Sequence, residues 1–527
     1  MKTSTKQTLK VVLLLIALFA AAGIGVLSYV FHKQVRTLQI KALDAIPNHT
    51  ALFFETARFE DFLSFNADAQ PLFTVLFDEK QQKNLWQMLW MLKDVKFGFD
   101  MEKYCNAFYL SVHFQKKNRT LLFGIEVDKR YNKELKEFVK RSATQYAGEL
   151  FSYKGNEILK LHHNKEILYL NRQNGLLLLS SDESLLRASI DKIVLKDSAL
   201  HHIVQSFAHK RDADVSLRVY LQHAQCEPVF RKILEETGAD VFILPLLSPF
   251  SWSALNVARK NETVIFSGYA KMDTTANKAR LFTHSDKTTD IEKLLPCNAQ
   301  NIFYLNAGRY QRFSQIKPCV QTSEDVFGLM YPSQVISFEM NSNDTMSQAL
   351  LLVSENPLEA AFHLFNSVNS EFSENQYHLD TFYVHTAMIG KINLHNFIVT
   401  RLGFNRHFPK LCYYTIWDNC VVFTDTKEGM ISYIQSLREG NTLKMSEKYQ
   451  ALSPYFSSQA NVLYYNDLSP KTIQNIRFQY DYFSGDLFLM DAVVTFLKQP
   501  RRGDICITAG ANLRSNRPVQ SPARTKL

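Results

Sequence analysis

The chain has 527 residues, 46% of them hydrophobic and 13% aromatic, and a formal net charge of +9. That charge sits at the ends: residues 1–45 carry net +5 and residues 498–527 net +6, which leaves −2 for residues 46–497. A near-neutral body offers no basic stripe for phosphates, which argues against a nucleic-acid partner, and a body of this length exceeds what one hydrophobic core normally serves.

In chain order, residues 1–10 form a basic flank with Lys2, Lys6 and Lys10. Val11–Phe31 follows without a charge, 21 residues long. As a helix it spans about 31 Å, the thickness of a hydrocarbon core, and it is longer than the apolar part of a cleaved signal peptide. The sequence therefore predicts one transmembrane helix over 11–31, a signal anchor, with a juxtamembrane linker over 32–44. Lys33, Arg36 and Lys41 nearly balance the flanking charge, and the reading adopted keeps the N-terminus in the cytoplasm. That puts the chain in the inner (cytoplasmic) membrane, with the large C-terminal domain periplasmic or extracellular.

The body reads as short alternating runs: Asn106–Phe114, Thr120–Val127, Ile158–Leu161, Ile167–Leu170, Val215–Leu221, Thr263–Tyr269, Met346–Val353 and Asn461–Tyr465. Period-two alternation predicts half-buried strands, mostly antiparallel by their spacing. Amphipathic helices are expected at Pro71–Leu92, Tyr131–Tyr146 and Pro357–Val368, the last capped by Asn356. The expected fold class is α+β: an N-terminal transmembrane helix followed by a duplicated ectodomain of antiparallel sheets with packed helices.

The duplication is read from three landmarks that recur in order. Pro47–Phe62 returns near Pro296 as Asn301–Phe313, at an offset of 251 residues. Lys165–Ile190 returns as Lys410–Ile434, offset by 244, each a strand, a polar turn (Asn174-Gly175 or Asp418-Asn419), a strand and a helix. Asp214–Leu221 returns as Ala460–Asp467, offset by 246. The halves are placed at 45–290 and 291–511, and the basic tail 512–527 is expected to be disordered.

Ile46-Pro47-Asn48-His49-Thr50-Ala51-Leu52 just after the anchor, and the strand–helix unit Gly175–Ile190, resemble a Bacteroidota family of single-pass envelope proteins built on a domain of unknown function. The resemblance implies an envelope address. It brings no activity, cofactor or catalytic residue.

Seven cysteines are scattered without a C-x-x-C pair, which gives no support to zinc or redox chemistry. Cys412 and Cys420 lie on one expected hairpin and could pair, but buried free thiols are the preferred reading. Ser189 and Lys192 have S-x-x-K spacing without the companion motifs of penicillin-binding enzymes, and the matched positions, Tyr433 and Ser436, keep neither group. His162-His163 and His201-His202 are adjacent pairs, which point apart on a strand or helix and make poor metal ligands. Arg501-Arg502-Gly503-Asp504 reads as a turn, and Trp86–Leu92 as an apolar helix face that could line a lipid-sized cavity. No catalytic, cofactor or metal residue is assigned. The expected function is a non-enzymatic protein-binding or scaffold module of the envelope. A binder of lipid or another apolar molecule is the alternative, and a hydrolase with a dispersed site the third reading. The expected partners are the membrane and an envelope protein or a lipid.

Overall fold

The structure, a computed structural model, describes residues 40–496 apart from 69–76, 94–99, 116–117, 164–165, 198, 208–216, 237–249, 262, 274–289, 307–332, 343–344, 362–380, 395–410, 457–459, 468–472 and 485. Among the described residues twenty strands form a single antiparallel sheet. In the first half they are β1 (Thr50–Thr56), β2 (Cys105–Gln115), β3 (Asn118–Val127), β4 (Glu149–Tyr153), β5 (Asn156–His163), β6 (Glu166–Gln173), β7 (Leu176–Ser180), β8 (Leu217–Gln222), β9 (Phe250–Lys260) and β10 (Thr263–Met272). In the second they are β11 (Ala299–Asn306), β12 (Gln334–Ser342), β13 (Thr345–Val353), β14 (Phe382–Val384), β15 (Ala387–Leu394), β16 (Leu411–Trp417), β17 (Cys420–Thr424), β18 (Val462–Asn466), β19 (Ile473–Ser484) and β20 (Leu487–Phe496).

The pairing order repeats. From its outer end the first half runs β4-β5-β6-β7-β3-β2-β1-β8-β9-β10. The second runs β14-β15-β16-β17-β13-β12-β11-β18-β19-β20. β10 and β20 then pair with each other, so one ladder joins the halves. The register is anchored by the same bond at both openings. The Thr50 amide donates to the Pro47 carbonyl at 3.1 Å, and the Ala299 amide to the Pro296 carbonyl at 3.0 Å.

Local sequence accounts for the elements. Leu176-Leu-Leu-Leu-Ser180 is buried on both faces, as a central strand covered on both sides requires. The tight turns before β7 and β17 need a left-handed residue, supplied by Gly175 (φ +81°) in one half and Asp418 (φ +54°) in the other. The Glu183–Leu195 helix begins with the Asp182 carboxylate accepting from the Leu185 amide, and the Lys427–Arg438 helix with the Thr426 hydroxyl accepting from the Gly429 amide. Side-chain alternation then gives the sheet two apolar faces. One core runs through both halves on the first face, from Phe54 and Phe123 to Phe423 and Tyr480. The second face carries two separate cores, around Phe53, Leu178 and Trp252 in the first half and around Tyr304, Val422 and Tyr433 in the second.

The fold class expected from the sequence is corrected in two respects. The strands do not divide into separate sheets with helices packed on each; they form one mainly antiparallel sheet of twenty strands. Strand pairing across β10 and β20, which the alternation pattern cannot encode, fuses what was read as two α+β units. The expected transmembrane helix is the second: no helix among the described residues is long and apolar enough to cross a membrane. Val11–Phe31, on which that expectation fell, lies outside the described residues.

Candidate functional site: a polar seam on the second face

On the second face, between the two separate cores, one transverse row of side chains is polar. Glu55 on β1 stands opposite Arg218 on β8, and Arg218 opposite Asn256 on β9. Asn256 stands opposite Ser267 on β10, Ser267 opposite Asp491 on β20, and Asp491 opposite Gln479 on β19. Six adjacent strands at about 4.8 Å spacing make a strip of roughly 24 Å. All but the buried Gln479 are half-buried.

Each group is held. The Glu55 carboxylate accepts from the Tyr109 hydroxyl at 3.0 Å and the Tyr220 hydroxyl at 2.8 Å. The Arg218 Nε donates to the Asn256 amide oxygen at 3.0 Å. Burial, reinforced by the nearby Asp481 carboxylate and opposed by Arg477, pushes the Asp491 carboxyl up to about 6. The strip thus combines a hydroxyl-bonded carboxylate, a guanidinium, two amides, a serine hydroxyl and a carboxyl near neutrality. That set can hold a polar partner by hydrogen bonds.

Beside the strip, the Arg477 guanidinium is only 4% exposed. It lies 4.0 Å from the ring centre of Phe456 and 4.7 Å from that of Tyr449. Its cross-strand partner is Tyr465.

The motifs singled out in the sequence fall elsewhere. The Ser189 hydroxyl donates to the Leu185 carbonyl at 3.0 Å, and the Lys192 ammonium to the Ile46 carbonyl at 2.6 Å. Both are buried and bonded to backbone, so the S-x-x-K spacing is structural here. His162 is half exposed beside Glu149, and His201 bonds Gln205 on its own helix. On the Glu79–Lys93 helix Trp86 and Trp90 are 39% and 49% exposed, while Leu85, Met88, Leu89 and Leu92 are buried, so the rings do not line the core. Cys412 and Cys420 are buried thiols that are not joined in a disulfide. Arg501–Asp504 and the tail 512–527 lie outside the described residues. Among the described residues no group of three or more His, Cys, Asp or Glu is placed to hold a metal ion.

Sequence reading missed the strip because its members come from six separate strands. The available signal was a charged residue inside an otherwise apolar run: Glu55 in TALFFET and Asp491 in LFLMDAVVTF.

No family model and no curated protein matches the chain. Among solved structures it is similar to crystal form I of TP0453, at 7% identity over 45% of this chain and 81% of that one, with a TM-score of 0.27. It is similar to crystal form III of TP0453 at 9% identity over 48% and 90%, with a TM-score of 0.25. A likeness this low carries no argument about function.

Proposed function

We propose that the chain is a non-enzymatic binding scaffold that receives a protein partner on the polar seam where its two halves join. The observation that supports this reading is the seam itself: six adjacent strands place polar, mostly half-buried side chains in one row between two apolar cores. A strip of this length and polarity matches a stretch of protein surface better than an apolar lipid, whose natural place would be a cavity without charges. The two cores flanking the strip hold it on rigid strands, which suits recognition without rearrangement.

The test is a photo-crosslinking side chain at Ser267 in the full chain, expressed in its own cells, with Lys133 on the exposed face of the Asn132–Gln145 helix as the control position. The reading expects a discrete protein adduct from position 267 and none from 133. A bare seam would count against it. So would a lipid retained on the purified chain in native mass spectrometry, which would favour the apolar-ligand alternative.

A further inference from the structure

The internal repeat allows each polar side chain to be compared with its counterpart in the other half. With the register anchored at Pro47 and Pro296, which shifts the sequence-read offset of 251 to 249, Phe53 corresponds to Ile302, six residues on in each half. Phe53 stands opposite Tyr220, and Tyr220 opposite Ala254. Ile302 stands opposite Tyr465, and Tyr465 opposite Arg477. Tyr220 and Tyr465 are therefore equivalent, as are Ala254 and Arg477. Glu55, two residues after Phe53, corresponds to Tyr304.

In the first half the tyrosine is satisfied internally, its hydroxyl donating to the Glu55 carboxylate at 2.8 Å. In the second half that carboxylate is replaced by Tyr304, and the small Ala254 by a guanidinium. The Tyr465 hydroxyl, on a side chain 1% exposed, has no hydrogen-bond partner among the described residues. Neither do Nε and Nη1 of Arg477. Each buried donor left without an acceptor costs about 1–3 kcal/mol, and buried polar groups in folded proteins are almost always bonded. Stacking on Tyr449 and Phe456 offsets part of that cost but supplies no acceptor. Three donors on two neighbouring strands thus lack acceptors at positions whose counterparts in the other half are a carboxylate-bonded tyrosine and an alanine.

We infer that Arg477 and Tyr465, under Tyr449 and Phe456, form a binding site for a small oxyanion, a carboxylate or phosphate group, that stands in the second half for the Glu55 carboxylate of the first. The guanidinium offers its Nε–H and Nη1–H groups, which lie on different sides of the group, and the phenol its hydroxyl, while the half-buried Phe456 stacks on the guanidinium. Glu292 and Asp491 act on Arg477 from outside ion-pair distance, so they favour a singly charged group over a dianion. The inference goes beyond the partner surface proposed above and does not depend on it.

The test uses the full chain and two probes, acetate and inorganic phosphate, against chloride at equal ionic strength. The unfolding midpoint should rise saturably with at least one probe, and which one responds separates a carboxylate source from a phosphate source. Affinity should fall about tenfold or more in Tyr465→Phe and in Arg477→Met, the effect of losing a charge-assisted hydrogen bond. Tyr304→Glu, which restores the internal carboxylate, should abolish the response and raise the midpoint without any probe. The inference is overturned by a midpoint that neither probe moves beyond the chloride control. A response that survives unchanged in Tyr465→Phe and Tyr304→Glu overturns it equally.

Discussion

Ser267 stands directly opposite Asp491 at the centre of the nine-pair ladder that joins the two halves, four pairs from Thr263–Thr495 at one end and four from Lys271–Leu487 at the other. A serine and a carboxyl thus occupy the middle of the only ladder between the halves among the described residues. Burial raises the Asp491 carboxyl to about 6 from an ordinary value of 3.8. The folded state therefore binds this proton more tightly than the unfolded chain. The stabilisation is complete below about pH 4 and is lost as pH rises through about 6. Discounted for partial exposure, its size is about 1–2 kcal/mol. Asp491→Asn should remove this dependence and be the more stable protein at pH 7 and above. Urea midpoints of both proteins between pH 4 and 8 check it, and parallel curves would refute the assignment.

Lys192 and Tyr433 perform one task with different chemistry. Each sits on the helix that follows the β7 or β17 hairpin and donates to a carbonyl just before its half's opening strand: Ile46 at 2.6 Å for Lys192, Leu294 at 3.0 Å for Tyr433. Burial lowers the Lys192 ammonium from its ordinary range. Tyr433→Phe deletes one bond and should cost about 1 kcal/mol, while Lys192→Met leaves the Ile46 carbonyl without this donor and should cost about 1–3 kcal/mol. Equilibrium unfolding of the single variants measures both costs. A neutral Tyr433→Phe would mean that solvent already serves the Leu294 carbonyl.

This pair marks how far the sequence could be read. The hairpin and helix around Ser189 and Tyr433 were legible because turn residues, apolar runs and caps are local, and the two prolines give the openings a shared signature. The joining of the halves was not legible. Ile265 and Val493 alternate as in any half-buried strand, and nothing local states that their strands pair with each other. Arg477 lies in a run whose alternate residues, Phe478 and Tyr480, pack on the first face, so its charge reads as solvent-facing. Only the cover by Tyr449 and Phe456, distant from it in sequence, makes it a buried cation.

Gly268 on β10 and Ala492 on β20 occupy equivalent positions on either side of the Ser267–Asp491 pair. A methyl is tolerated at 492. At 268 an added Cβ would fall well inside contact distance of the Ala254 carbonyl oxygen. Gly268→Ala should therefore displace β9 from β10 and cost about 1–3 kcal/mol. Ala492→Gly should cost only about 0.5–1 kcal/mol, from the backbone freedom of the unfolded chain. Amide exchange at Leu255 and Tyr269 would distinguish the two, since only the first variant should open the β9–β10 ladder. Equal protection in both would show that the backbone absorbs the methyl.

The burial of His113 and His223 predicts an acid limb in the stability of the chain. Each is buried and bonds a serine: His113 Nε2 lies 3.0 Å from the Ser111 hydroxyl, and His223 Nε2 lies 2.6 Å from the Ser253 hydroxyl. Burial lowers both rings to about 3 from 6.5, with His49 and Lys192 adding to the effect at His113. The unfolded chain takes up these protons first. Their contribution is therefore complete above pH 6.5 and is lost as pH falls towards 3, at about 1.4 kcal/mol per pH unit for each ring. Asp491 acts in the opposite sense between pH 4 and 6, so the measurement belongs in the Asp491→Asn background. There, His113→Met should remove the proton uptake of one ring from the slope between pH 6 and 4. The counterpart of His113 in the second half is the buried Met340, paired with Ala299 as His113 is with Thr50, so the replacement has a precedent within the fold. An unchanged slope would mean that His113 gains water and a proton before the sheet opens.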